Sequence, residues 1–71
     1  MVDFLQITDV EALAKAIREA RKEQQITQTD LAGLAQTGLR FIVDLEKGKA
    51  SCELAKVLSV VNALGLKLYL K

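Results

Sequence analysis

Residues 26–49 read ITQTDLAGLAQTGLRFIVDLEKGK and contain two short helical patterns with a break of about three residues between them. Thr27 stands three residues before Asp30, which is the spacing of a capping box, so the first helix should begin there. Gly38 interrupts the apolar periodicity and Gly48 follows the second pattern as a natural helix-ending residue. Two helices, each about eight residues long, are therefore expected over 28–35 and 39–47.

The apolar residues of both patterns recur at helical spacing, so each helix is expected to have one buried side. These inward residues are Leu31, Ala32, Leu34 and Ala35 in the first helix and Ile42 and Leu45 in the second. Ala32 is small, so the two helices can cross closely at a steep angle. This arrangement predicts a helix-turn-helix motif, whose second helix is presented outward toward the DNA major groove.

Two further helices flank the motif. The first is expected over about 9–24, beginning after Thr8, with Glu11 completing a capping box. The last is expected over about 52–64 and ends before Gly65. Its predicted buried stripe is Leu54, Val57, Leu58, Val61 and Leu64, which leaves Val60 as an exposed residue available to a partner. The predicted fold is one all-α domain spanning 1–71.

The tail changes from helical periodicity to strict alternation. Leu66, Leu68 and Leu70 alternate with Lys67 and Tyr69, which predicts a strand over about 66–70. A single strand needs a hydrogen-bonding partner. The only other extended candidate in the chain is residues 2–7. The simplest partner is the same strand of a second chain across a two-fold axis, which makes the protein a homodimer. The predicted dimerisation residues are Leu66, Leu68, Tyr69 and Leu70.

Composition excludes several classes of function. The 71 residues include no His and one Cys, so neither a four-ligand nitrogen and sulfur metal site nor a nucleophile–base pair is expected. We therefore expect no catalytic residues, no metal, no cofactor and no enzymatic activity. No segment is long and apolar enough for a membrane, and the lone Cys52 suits a reducing cytoplasm. The net charge of +1 neither argues for nucleic-acid binding nor forbids it.

Two segments carry a family resemblance. Residues 26–32 (ITQTDLA) resemble the opening of the second helix of XRE-type, phage-repressor-like helix-turn-helix proteins. Residues 41–49 (FIVDLEKGK) resemble the recognition helix and its exit in the same family. The order of compact domain, residues 62–66 (NALGL) and terminal strand is similar to HipB-type antitoxins. That resemblance implies a lambda-repressor-like four-helix fold, a palindromic double-stranded operator, repression of the protein's own operon and a HipA-like kinase toxin as partner.

The resemblance also implies roles for individual residues. Base contacts would come from Leu39, Arg40, Val43 and Asp44. Phosphate contacts would come from Thr27, Gln28, Gly38, Lys47 and Lys49. Arg21 and Glu46 match a structural ion pair that ties the first helix to the end of the third. Arg40 is the strongest base-contact candidate, because a guanidinium can bond both O6 and N7 of guanine.

Three residues depart from the family pattern. Gln36 stands where glycine is usual in the turn, and Gly38 replaces the usual Ser or Thr cap of the recognition helix. Asp44 is an acid on the surface that would face DNA, unless it accepts from cytosine N4. Gly38, Asp44 and the small net charge favour an alternative function, a protein-interaction adaptor that kept the fold without specific DNA binding.

Overall fold

The computed structural model describes residues 7–49 and 53–68 of the chain. This part contains four α-helices: α1 (Val10–Glu23), α2 (Gln28–Leu34), α3 (Leu39–Glu46) and α4 (Leu54–Ala63). Helix α2 packs against α3 and α4, and α3 also packs against α1. The predicted all-α, four-helix fold is confirmed. None of the four helices has the length and hydropathy needed to span a membrane.

The core lies where the four helices meet. Its fully buried large side chains are Ile17, Leu31, Ile42, Leu45, Val60 and Val61. Small residues of α2 and its C-terminal cap, Ala32 and Ala35, are also buried and let the helices approach one another. Burial of apolar surface contributes roughly 25 cal/mol per Å² to the free energy of folding. This buried cluster is therefore the main source of favourable folding energy in so small a domain.

All four described helices end in the same backbone motif. One residue past each cap the chain takes a left-handed conformation, at Gln25 (φ 58°), Gln36 (φ 56°), Gly48 (φ 83°) and Gly65 (φ 75°). In each case the next N–H bonds the carbonyl five residues back, which is the Schellman arrangement. The motif satisfies the helix-end carbonyls and reverses the chain within two residues. This explains how four helices fit into so short a chain.

Helix α1 is capped by a different residue from the one predicted. Asp9, not Thr8, is its N-cap, and the Asp9 carboxylate accepts a hydrogen bond of 2.8 Å from the backbone N–H of Ala12. The two neighbouring residues are both common cap types, and only the backbone conformation selects between them. The capping-box prediction at Thr8 and Glu11 was therefore wrong.

The predicted buried faces of α2 and α4 were partly wrong. Leu34 is 61% exposed, because Leu31, Ala32 and Ala35 already define the buried side of α2 and Leu34 lies about 100° away. In α4, Val60 was predicted to be exposed and is fully buried, whereas Leu54 and Leu58 were predicted to be buried and are 69% and 41% exposed. The apolar stripe of α4 is wider than the surface that the core can cover, and tertiary packing rotates the helix toward Val60.

The predicted terminal strand falls largely beyond the described part of the chain. Residues 66–68 are described and have no regular secondary structure, and Tyr69 and Leu70 lie outside the described residues. Leu66 packs against the core, while Leu68 is 51% exposed. Gln24 at the end of α1 donates a 2.8 Å hydrogen bond to the carbonyl of Leu64, which fixes the point where the tail leaves the domain. Pairing of the tail with a second chain stays a prediction.

Candidate nucleic-acid interface

The turn between α2 and α3 sets the direction of α3. Gln36 takes the left-handed conformation that was expected at this position, at a cost of about 1–2 kcal/mol for a residue with a side chain. The N–H of Thr37 bonds the carbonyl of Ala32 at 2.9 Å and closes the end of α2. Gly38 then caps α3 with extended backbone and no side-chain hydrogen bond, as its identity predicted. The turn is thus held by backbone geometry.

A partly buried cluster of three polar side chains holds the other end of α3. Arg21 of α1 donates from Nε to Oε2 of Glu46 at 2.7 Å and from Nη2 to Oε1 at 3.0 Å. Gln28 of α2 donates from Nε2 to the same Oε1 at 3.2 Å. The Arg21 and Glu46 side chains are only 12% and 3% exposed. One carboxylate therefore joins α1, α2 and α3.

Arg21 also secures the loop that follows α1. Its Nη1 donates a 2.9 Å hydrogen bond to the carbonyl of Ile26, immediately before the cap of α2. The hydrogen bond to Glu46 raises the pKa of Arg21 above its ordinary value, against the opposing effect of burial. The guanidinium is therefore charged at every accessible pH, and Glu46 is its direct counterion.

The outer face of α3 contains the four residues predicted to contact bases. Leu39 is 46% exposed and the Arg40 side chain 87% exposed, while Val43 and Asp44 are half-buried. All four lie at helical spacings that place them on the side away from Ile42 and Leu45. The structure thus gathers the predicted base-contact residues on one accessible strip, which we call the α3 outer strip (Leu39, Arg40, Val43, Asp44).

Asp44 forms ion pairs with two basic residues that the resemblance predicts to contact DNA. Its Oδ1 lies 3.4 Å from Nε of Arg40 and its Oδ2 lies 3.5 Å from Nζ of Lys49. The i,i+4 spacing to Arg40 could have been read from the sequence. The contact with Lys49 could not, because it depends on how the chain turns after α3.

The predicted phosphate-contact residues surround the two ends of the same surface. Gln28 meets Glu46 through its amide nitrogen, so the start of α2 and the end of α3 adjoin. Lys47 and Lys49 are exposed just past α3. Thr27 already makes two hydrogen bonds within the capping box of α2. Its Oγ1 accepts from the N–H of Asp30 at 3.0 Å, and its own N–H donates to the Asp30 carboxylate at 2.9 Å.

The capping box at the start of α2 affects the titration of Asp30. Its carboxylate accepts the backbone N–H of Thr27 and is also held by the Thr27 side chain, and both contacts lower the pKa of Asp30 below its ordinary value. The negative charge is therefore present at neutral pH and favours the N-terminus of α2 through the helix dipole. It also places an acid beside the predicted phosphate contacts.

A rigid pair of helices with an accessible second member is the helix-turn-helix arrangement found in DNA-binding domains. The sequence model of the Helix-turn-helix family matches residues 17–70 of this chain. The chain belongs to that family, as the two resembling segments predicted.

Two other proteins are similar to this chain in sequence. An uncharacterised HTH-type transcriptional regulator, y4mF, from Sinorhizobium fredii is 55% identical over 49 residues, which cover 69% of this chain and 64% of the relative. The HTH-type transcriptional regulator DdrOP3 from Deinococcus deserti is 30% identical over 57 residues, or 80% of this chain and 44% of its own length. The chain spans less than two thirds of either relative.

Solved structures of HipB complexes are similar to this chain in fold. The chain superposes on HipB in a HipB–O4 20mer complex with a TM-score of 0.88 and 24% identity, and each chain is covered to 96%. It superposes on a chain of a HipA–HipB–O2–O3 complex with a TM-score of 0.89, the same identity and the same coverage. The predicted likeness to HipB is confirmed at the level of the fold.

Proposed function

We propose that this protein is a dimeric, sequence-specific DNA-binding transcriptional repressor. The observation that carries the proposal is the α3 outer strip, which is accessible while the helix beneath it is fixed at both ends. The Gln36 turn holds one end, and the cluster of Arg21, Gln28 and Glu46 holds the other. A rigid, outward helix is what direct readout in the major groove requires. The names of the two sequence relatives, both HTH-type transcriptional regulators, support the same function.

The residues proposed to meet DNA divide into two groups by chemistry. Arg40 would read guanine by two hydrogen bonds, Leu39 or Val43 would contact a thymine methyl, and Asp44 is the fourth member of the reading strip. The phosphate group comprises Thr27, Gln28, Gly38, Lys47 and Lys49. Their contacts would position the domain and make binding fall steeply with salt.

A replacement of Arg40 tests the reading strip. Arg40→Ala should weaken binding to a duplex from upstream of this protein's own gene by about 1–3 kcal/mol and relax discrimination at one base pair. Arg18→Ala on α1 is the matched control, because it removes the same charge from another exposed position. Fluorescence anisotropy with single base-pair changes in the duplex measures both effects. Equal affinity for the wild type and Arg40→Ala would refute the assignment.

Dimerisation is part of the proposal, because two outward helices must act at a fixed separation. A two-fold pair would place its α3 helices about 34 Å apart, one helical turn of DNA, and recognise a palindrome. The tail residues Leu66, Leu68, Tyr69 and Leu70 would form the pairing strand. Light scattering at micromolar concentration tests this point, since a single-chain mass would remove the palindrome mechanism.

We further propose that the protein is the antitoxin of a HipA-like kinase and represses the operon that encodes both. The support is its likeness in fold to HipB, a chain that is known in complex with HipA. The protein would act in the cytoplasm. Co-expression with a kinase encoded beside its gene should give a complex that survives gel filtration. Separate elution of the two proteins at micromolar concentration would contradict the antitoxin role and leave the repressor role intact.

A protein-interaction adaptor without specific DNA binding is the second candidate. It is favoured by the pairing of Asp44 with Arg40 and Lys49, which occupies two basic residues that DNA would need. The start of α3 points the same way, because its N-cap Gly38 provides no side-chain hydrogen bond. A gel-shift titration at low salt with the upstream duplex separates the two functions: no retardation by dimeric protein would favour the adaptor.

A further inference from the structure

Asp44 has an unusual position for an acid in a DNA-binding surface. It lies on the α3 outer strip, and each of its carboxylate oxygens faces a different basic side chain, Arg40 at 3.4 Å and Lys49 at 3.5 Å. Its own side chain is 21% exposed, whereas those of Arg40 and Lys49 are 87% and 56% exposed. The acid is thus less exposed than the two basic groups that would meet DNA.

Backbone geometry sets both ion pairs before any ligand arrives. Arg40 precedes Asp44 by one helical turn, so the two side chains share a face of α3. The Schellman motif that ends α3 brings the N–H of Lys49 to the carbonyl of Asp44 at 3.1 Å. The left-handed Gly48, with φ 83°, makes that turn possible. Lys49 therefore emerges directly beside the carboxylate.

We propose that Asp44 limits the affinity of this protein for DNA of arbitrary sequence by keeping Arg40 and Lys49 in ion pairs that phosphates must displace. The inference rests on the DNA-binding function proposed above. Binding to arbitrary DNA comes almost entirely from neutralising phosphates, so each occupied cation lowers it. A cognate site offsets the cost, because guanine gives Arg40 two directed hydrogen bonds that phosphate alone does not provide. Asp44 therefore increases discrimination.

The test compares Asp44→Asn with the wild type and with a matched control. Glu19→Gln also removes one negative charge from an exposed i,i+4 ion pair, here with Lys15 at 4.0 Å on α1. The probe is a fluorescein-labelled random-sequence duplex of about 30 base pairs, titrated by anisotropy from about 25 to 200 mM KCl. All three proteins are used as the full chain.

Asp44→Asn should bind this probe roughly three- to tenfold more tightly than the wild type at low salt. The slope of log K against log salt should steepen by about 0.9 for each additional phosphate that the variant neutralises. Adding Lys49→Gln to Asp44→Asn should remove part of the increase in affinity, because the released lysine is then absent while the released Arg40 remains. Glu19→Gln should match the wild type in affinity.

Asp44→Asn should stay folded, because the substitution removes a negative charge from the last turn of α3, where the helix dipole disfavours it. Circular dichroism of the variant and the wild type checks that the helix content is unchanged.

The outcomes separate this inference from the proposed function. If the wild type binds the duplex and Asp44→Asn binds no more tightly than Glu19→Gln, the role of Asp44 is refuted and DNA binding stands. Weaker binding by Asp44→Asn refutes it as well, since the carboxylate would then contribute to DNA contact directly. If none of the folded proteins binds at the lowest salt, DNA binding itself is refuted.

Discussion

Replacing Glu46 with alanine should destabilise this domain more than any change on the α3 outer strip. The substitution removes three hydrogen bonds, of 2.7 and 3.0 Å from Arg21 and 3.2 Å from Gln28. It leaves the Arg21 guanidinium, 12% exposed, without its counterion. Removing one member of a buried ion pair costs about 3–5 kcal/mol, mostly because the remaining charge is desolvated and unpaired.

That loss is large for so small a domain. At about 0.05–0.15 kcal/mol per residue, a 71-residue chain has roughly 4–11 kcal/mol of stability in total. Each kcal/mol corresponds to about 4–8 °C in a domain of this size, so Tm should fall by roughly 12–40 °C. Urea denaturation followed by circular dichroism at constant protein concentration measures the change in the free energy of unfolding.

Two variants show whether the unpaired charge causes the loss. Arg21→Met combined with Glu46→Leu replaces the pair by apolar side chains and should recover most of the stability. Glu19→Ala breaks an exposed pair and should change stability by less than about 0.5 kcal/mol. A loss below about 1 kcal/mol for Glu46→Ala would refute the claim that this cluster fixes α3. A double variant as unstable as the single one would refute the unpaired charge as the cause of the loss.

Three other predictions follow from single positions. Gln36→Gly should raise the free energy of unfolding by about 0.5–1 kcal/mol, because glycine adopts φ 56° without strain; an unchanged urea midpoint would contradict this. Thr27→Ala should raise the pKa of Asp30 part of the way to its ordinary value, since the backbone hydrogen bond remains. Because the folded-state pKa is lowered, this carboxylate stabilises the fold above its unfolded pKa, near 4, and the contribution disappears as pH falls through the folded value. NMR titration of the wild type and Thr27→Ala measures the pKa of Asp30, and identical values would refute the contribution of the Thr27 side chain. Leu68→Lys should raise the dimer dissociation constant at least tenfold, because burying one leucine is worth about 1.5–3 kcal/mol; an unchanged mass distribution in sedimentation equilibrium would argue against the tail.

Local signals in the sequence were enough to place the four helices. Thr27 with Asp30 marks the start of α2, and Gly48 and Gly65 mark the ends of α3 and α4, because capping and left-handed turns depend on residues within five positions of each other. The family resemblance, and not a local signal, identified Gln36 as the left-handed residue of the turn. The resemblance also supplied a contact that local signals cannot predict, the pairing of Arg21 with Glu46, whose positions differ by 25.

Only the tertiary structure decided which of several apolar residues the core covers. Val60 and Leu58 are equally acceptable at the edges of the α4 stripe, and the packing of α2 against α4 buries the first and exposes the second. The contact between Asp44 and Lys49 likewise exists because the chain reverses after α3. Periodicity and caps are properties of one segment, whereas burial and charge pairing depend on which segments meet. A sequence therefore specifies its elements more directly than the surfaces they form together.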